Sequence, residues 1–547
     1  MTPFWLFFGA FALRIAVGFV LPHPAYPDAF YYANIGQQLA AGNGFSVDYL
    51  WNFVEVGGRL PADPQLPVPS NAHWMPLAAL IQVPFIWLLG ATPLASGLPF
   101  WIVAALAAPL TFLIGRDAGL EHRQSVAAGL LAALGGGAAP FLSQPDNFAL
   151  YLTLGALALW LCARGIRGDR RAFVVGGAVV GLATLSRNDG VLLGVPFALA
   201  FIADVRRPRL ERRVGWLVAI ACAAGFALVA GPWFVRQLQV FGSISPSAAG
   251  GRILFIHEYR DLYSITGDTS LPGFLAQGLP SLVMSRLSGL VSAVVIFAST
   301  PLLLFLAPFA LGGAWRQRRD AAFVPWHVYA LTLLAFNALL FAVHVPYGTF
   351  LHSAVALMPH AYLLATVGIV AAVHRVARRR PSWDVGKAAT RYLAVAVIGV
   401  AIGSLGATAV ISRTWTARET LRREIGSAMT TVPSTDRVMS PDAGAYRYIT
   451  GRGGIVTPDD PLPVIRDAAA AYQVRWLILE RGHLVEALAP VFAGRERPAW
   501  LSAEPVHVAR AADGALSVAV FAVCLDAPAA AAPTEATAAP DARCARR

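Results

Sequence analysis

Three short polar turns stand between long apolar runs, and each holds residue types suited to acid–base or anion chemistry. Pro27-Asp28-Ala29-Phe30-Tyr31-Tyr32 follows the first apolar run, and Ser143-Gln144-Pro145-Asp146-Asn147-Phe148 and Leu185-Ser186-Arg187-Asn188-Asp189-Gly190 follow later ones. A carboxylate placed where an apolar segment meets water can take a proton from a hydroxyl group. Each acid also has a plainer reading. Asp28 is expected to cap a helix beginning at Ala29 and Asp146 to cap the next apolar helix, since Asp is a favoured N-cap. Asn188-Asp189-Gly190 reads equally as an ordinary turn in which Arg187 and Asp189 solvate one another. Two acids on separate turns at one membrane surface can still converge on one cavity, to bind a metal, orient a sugar or divide the roles of base and positioner.

Cations and aromatics supply a second set. Pro232-Trp233-Phe234-Val235-Arg236-Gln237 places a guanidinium among rings, an arrangement suited to a phosphate on an apolar tail and equally to interfacial anchoring. His73-Trp74 and the stretch from His344 through Tyr347 to His352 offer rings to stack on a sugar and imidazoles for phosphate or metal. These histidines lack the tight spacing of zinc motifs, so hydrogen bonding is the simpler role and a divalent cation stays open. Arg14 lies within the first apolar run, where a charge costs about 2.5–3.5 kcal/mol unless it reaches protein or water. It is expected to snorkel to the inner surface or to face the substrate cavity.

The elements that must hold these residues are membrane spans. The 547-residue chain is 56% hydrophobic and 14% charged, too apolar for an ordinary soluble globule. Its net charge of +12 comes from arginine clusters such as Arg206-Arg207, Arg316-Gln317-Arg318-Arg319 and Arg378-Arg379-Arg380, each between apolar runs. That pattern marks topology rather than nucleic-acid binding. The first run, Phe4 to Leu21, has no basic leader and no small-residue cleavage site, and reads as an uncleaved span. Residues 76–89 are short for a crossing of about 20 residues and are expected to re-enter or lie at the interface. Spans at 97–115, 125–142, 148–163, 172–186, 190–204, 214–232, 288–314, 322–343, 354–373 and 391–412 complete about eleven crossings. The chain is thus expected to be a polytopic α-helical membrane protein, with its N-terminus cytoplasmic and the acid-bearing turns outside. No repeat between the halves is evident, which weighs against many transporter folds.

The expected organisation is a transmembrane domain at 1–412 with outer loops 22–96 and 233–286, then a small extracytoplasmic α/β domain at 413–526. Strands are expected at 437–440, 454–456, 476–479, 506–509 and 516–524, and helices at 443–448, 462–472 and 484–492. The Ala-, Pro- and Thr-rich residues 527–547 are expected to be disordered. Four cysteines form no disulfide framework, although Cys524 and Cys544 can pair outside the cytoplasm.

The order and sidedness of Arg14, PDAFYY with AAGNGF, HWMPL, PDNFALYLTL, LSRNDG and PWFVRQLQVFGS resemble the GT-C superfamily of polyprenyl-phosphate-sugar glycosyltransferases. That group contains the protein O-mannosyltransferases and the aminoarabinose transferase of lipid A. The resemblance implies a GT-C fold and an inverting transferase whose donor is a sugar on a polyprenyl phosphate, with a hydroxyl acceptor on glycan, lipid or protein. It implies Asp28 as general base and Asp146 as its supporting acid. Arg236, with Arg187, would hold the donor phosphate, and Tyr31, Tyr32, His73, Trp74, Asp189, Tyr347 and His352 would contact substrate. The chain departs from the O-mannosyltransferase pattern of two adjacent acids, because Asp28 is followed by Ala29, and it lacks a long insertion of the sugar-binding type. A protein acceptor is therefore the less supported one. The composition suits a bacterial inner membrane. The rival readings are a transporter or flippase of a lipid-linked glycan and a non-catalytic envelope scaffold.

Overall fold

The computed structural model describes residues 1–207, 212–244, 253–340, 350–380 and 382–525. Tyr347, one of the expected substrate contacts, and the tail at 527–547 lie outside the described residues. The chain divides into two compact units.

The first unit comprises Met1–Pro24, Trp74–Ser245 and Gly278–Ser412 and is helical. Among the described residues eight helices are long and apolar enough to cross a membrane: Thr2–Val20, Pro93–Asp117, Asn147–Ile166, Asn188–Val205, Trp216–Phe241, Leu279–Ser299, Leu351–Ala377 and Val385–Thr431. Their number, length and apolarity make this a multi-pass membrane protein. Helix α1 is Thr2–Val20. The segment read as re-entrant or interfacial forms two short helices, Leu77–Leu80 and Val83–Leu89. The spans expected at 125–142 and 172–186 are helices of 13 and 17 residues, His122–Leu134 and Arg170–Ser186. That expected at 288–314 is broken into Leu279–Ser299 and Ala307–Arg316. Leu303 and Leu304 adopt positive φ at the break, which no helix continues through. Helix Ala307–Arg316 then lies so close to Met358–Ala377 that a Cβ on Gly313 or Gly368 would strike the partner's backbone. Small residues of this kind let helices approach where lipid supplies no hydrophobic drive.

The second unit comprises Ala25–His73, Pro246–Gln277 and the chain from Arg413. Loop residues 25–73 and 253–277, placed by the sequence reading with the transmembrane domain, group with the C-terminal segment. The reason is a shared sheet. Its strands are β2 (Tyr49–Leu50), β4 (Arg437–Ser440), β5 (Gly454–Val456), β6 (Val474–Glu480), β7 (His507–Arg510) and β8 (Leu516–Ala522), in the order β2-β5-β4-β6-β8-β7. β2, from the first loop, pairs in parallel with β5, and β8 pairs antiparallel with β6 and β7. Strands β1 (Ser46–Val47) and β3 (Val68–Pro69) form a separate two-stranded ribbon.

One face of the six-stranded sheet buries Leu50, Met439, Ile455, Leu477 and Phe521 against Ile465 and Tyr472. The other buries Val438, Trp476, Ile478 and Val520 against Ile425, Met429 and Tyr446. Of the expected helices, 443–448 and 462–472 form as Ala443–Thr450 and Leu462–Ala471, whereas 484–492 is two short turns. The last long helix runs from Val385 to Ala428, past the expected end at 412. Its 44 residues would span about 66 Å, twice the hydrocarbon core, and its final stretch is accordingly charged.

Candidate functional site

In the first unit the chemistry gathers where the helix Asn147–Ile166 begins. Asp146 is its N-cap, with extended backbone and a side-chain oxygen 2.5 Å from the Asn147 N–H that donates to it. Sequence left Asp146 between cap and functional acid, and the structure gives it a second partner besides the cap. Its other oxygen lies 3.2 Å from His352 Nε2, and the His352 ring stacks on Phe148 with centroids 3.9 Å apart. Asp146 is fully buried and His352 nearly so. A buried carboxylate of this kind costs free energy unless it is paired, and the imidazole and the capped backbone supply the pairing.

The next residue, Ser353, opens a second group. Its hydroxyl donates to Asp189 Oδ2 and accepts from Arg187 Nε at 2.7 Å, while Arg187 Nε lies 2.8 Å from Asp189 Oδ1. Arg187 and Asp189 are therefore a buried pair bridged by Ser353 rather than a solvated turn. Tyr151 and Tyr329 complete it, with their hydroxyls 2.9 Å apart. The Tyr151 hydroxyl donates to the Asp189 carbonyl at 3.4 Å. Thus Asp146, Arg187, Asp189 and His352, four residues singled out from sequence, belong to one polar network. Ser353, Tyr151 and Tyr329 were missed, although tyrosines inside apolar spans were a visible signal.

Upstream of Asp146, the segment is fixed from three sides. Gln144 donates to the Pro22 carbonyl at 2.9 Å, and the Trp101 indole donates to the Ser143 carbonyl at 2.9 Å. Arg14, fully buried in α1, donates to the carbonyls of Ala139, at 3.0 Å, and of Ala133. It does not snorkel: it pairs with one carbonyl in the last turn of the helix His122–Leu134 and one just past the turn that follows. His23, buried beside Gln144, has its pKa lowered to about 4 by burial, which the Pro22 carbonyl only partly opposes.

Arg236 is half-buried, its guanidinium 4.7 Å from the Trp233 ring centre and 5.5 Å from that of Phe241. Cation–aromatic contacts of this kind hold the charge in place. Trp74 is half-buried.

In the second unit Asp28 is half-buried in the first turn of helix α2 (Pro27–Ala40), whose N-cap is Tyr26. The expectation that Asp28 caps a helix from Ala29 is corrected: Pro27, with φ preset for the first helical position, starts the helix two residues earlier. Tyr31 and Tyr32 are buried, and the Tyr31 hydroxyl accepts from the Asn71 N–H at 2.7 Å. His73 is half-buried.

Beside Tyr31 and Trp51 lies Glu55, whose carboxyl oxygens are buried although the residue as a whole is half-exposed. Burial pushes its pKa up to about 8, with the Trp51 indole and Tyr31 hydroxyl favouring the charged form less strongly. The Tyr259 and Tyr263 hydroxyls, raised chiefly by burial, also feel the negative charges of Asp28 and Asp442. Asp442 and Glu480 clasp the buried Arg422 at 2.7 and 2.8 Å.

Asp146 Oδ2 and His352 Nε2 are donors of the kind a divalent cation takes.

Residues 70–233 match a family model described as dolichyl-phosphate-mannose-protein mannosyltransferase. No curated protein sequence matches the chain. Among solved structures the chain is similar to ArnT from Cupriavidus metallidurans bound to undecaprenyl phosphate, with a TM-score of 0.58 and 14% identity over 96% of this chain and 98% of that one. The apo form of the same protein gives 0.57 and 14% over 93% and 96%. An oligosaccharyltransferase from Archaeoglobus fulgidus in its apo form gives 0.46 and 11% over 87% and 70%. The ArnT likeness spans nearly the whole of both chains and shows a common fold.

Proposed function

We propose that this chain is an inverting glycosyltransferase that moves a sugar from a polyprenyl-phosphate donor to a hydroxyl acceptor at the outer face of a membrane, most simply a bacterial inner membrane. The observation that carries this reading is the likeness, along 96% of the chain, to a fold solved with undecaprenyl phosphate bound. The polar network of Asp146, His352, Ser353, Asp189 and Arg187, built into an otherwise apolar bundle, supports it.

Asp28 takes the proton of the acceptor hydroxyl as its oxygen attacks the anomeric carbon. The bond from that carbon to the phosphate oxygen breaks on the opposite side, its electron pair leaves with the phosphate, and the anomeric centre inverts. The departing polyprenyl phosphate needs a cation aimed at its oxygens, a role for Arg236 with Arg187, whose Nε is held by Asp189 and Ser353. Asp146, held by His352, orients the sugar. Tyr31 and Tyr32, buried in helix α2, are read as contacts that hold the acceptor side of the site.

Glycosyl transfer from a panel of radiolabelled polyprenyl-phosphate sugars tests this, with membranes holding the intact chain, Asp28→Asn or Arg236→Gln. The expected result is transfer by the intact chain, loss of turnover in the first variant by about 10²–10⁴-fold, and a raised donor KM in the second. Transfer unchanged in Asp28→Asn removes it as the base, and no transfer from any donor argues for the transporter reading.

A further inference from the structure

The helix that begins just after His352 and Ser353 ends at a second polar place. From Ser353 to His374 the chain is helical and, at about 1.5 Å per residue, covers about 30 Å, the thickness of a bilayer core. There Arg316, His374 and Arg378 face a cavity of about 520 Å³, walled by Leu120, Val367 and Val370. No acid lines it. The neighbouring acid, Glu121, pairs with Arg123 at 2.6 Å and caps its own helix. Among the described residues the side chains of Arg316, His374 and Arg378 have no hydrogen-bond or ion-pair partner.

Each cation taken alone has an ordinary explanation. Arg316 and His374 sit in last helical turns, where positive charge suits the helix dipole, and arginine clusters mark the cytoplasmic side. All three side chains are solvent-exposed, so water serves them as they stand, and what remains distinctive is their convergence from two helices on one cavity. Two guanidiniums around a shared space repel, and an anion between them turns that repulsion into paired, charge-assisted hydrogen bonds. The apolar wall selects an anion that carries acyl chain. Basic pockets between membrane helices on this side are suited to lipid phosphate.

We propose that this cavity binds the phosphate of an anionic phospholipid, with Arg316 and Arg378 on the phosphate oxygens, His374 at the headgroup and the chains along Val367 and Val370. The occupant ties the helix Ala307–Arg316 to the end of the helix Met358–Ala377, some 30 Å from the candidate catalytic network. This proposal does not rest on the glycosyltransferase reading.

The test uses the full chain purified in detergent and stripped of lipid. Binding is followed by native mass spectrometry and by the unfolding midpoint, with phosphatidylglycerol, phosphatidylcholine or inorganic phosphate added. The expected result is saturable binding of phosphatidylglycerol with a raised midpoint, little effect of phosphatidylcholine, and binding weakened about tenfold or more in Arg316→Gln/Arg378→Gln. The charge-preserving Arg316→Lys/Arg378→Lys retains most of the effect and serves if the first variant does not fold. Equal response to phosphatidylcholine, or an undiminished response in the Gln variant, overturns the site. A full response to inorganic phosphate alone overturns the lipid as its source.

Discussion

Asp146 combines two physical roles, capping a helix and presenting a charge to His352, and the two can be separated by substitution. Asparagine caps as well as aspartate does, so Asp146→Asn is expected to fold normally while losing the charged partner of His352. Asparagine can keep a neutral hydrogen bond to His352 but not the charge that orients the sugar, so glycosyl transfer is expected to fall by about 10–100-fold at a nearly unchanged unfolding midpoint. A midpoint that falls along with activity would make Asp146 a structural acid only. Glu55 gives a prediction in pH. With a folded pKa of about 8 against an ordinary 4.5, the folded chain holds a proton that the unfolded chain releases above pH 4.5. Stability from this group is therefore present at low pH and lost progressively as pH rises from 4.5 to 8. Glu55→Gln is expected to raise the unfolding midpoint at pH 8 and leave it nearly unchanged at pH 4.5; equal effects at both would mean the carboxyl is ionised throughout.

The elements explain why some of this was legible in the sequence and some was not. Apolar runs and their basic ends marked the long helices, because span length and arginine bias are properties of local sequence. The break at 300–306 was not visible, since an apolar break between two packed helices carries no polar signal and Leu303 and Leu304 are residues any span would hold. The short loop strand Tyr49–Leu50 was equally hidden, because its pairing partner lies some four hundred residues away. Arg14 was visible as an anomaly, but its partners, the carbonyls of Ala133 and Ala139, are brought to it only by the fold. Arg14→Met leaves both carbonyls buried and unpaired, at about 1–3 kcal/mol each, and is expected to lower the unfolding midpoint measurably. Lysine, which lacks the guanidinium fork, is expected to restore little of it. A midpoint unchanged in Arg14→Met would show that the carbonyls find other donors.

For the molecule as a whole, two features of the sequence carry the functional account: the membrane-spanning helical class, and acids placed on short turns at one surface. The class stands on the eight long apolar helices and on the ArnT likeness. The sidedness is part of the proposal and has its own check: a single cysteine replacing Arg319, in a chain whose native cysteines are changed to serine, is expected to react with a membrane-impermeant maleimide only after permeabilisation. Labelling of intact cells would invert the orientation. Pairings such as Asp146 with His352, 206 positions apart, could not be read from spacing because they depend on how the helices pack. The central claim is that sugar leaves a polyprenyl phosphate with Asp28 as base. It is tested most directly by incubating the purified chain in lipid nanodiscs with a polyprenyl-phosphate sugar and envelope acceptor, and measuring the polyprenyl phosphate set free. The account predicts release matched mole for mole by glycosylated acceptor, and both abolished in Asp28→Asn. Release and transfer that persist in Asp28→Asn would contradict it.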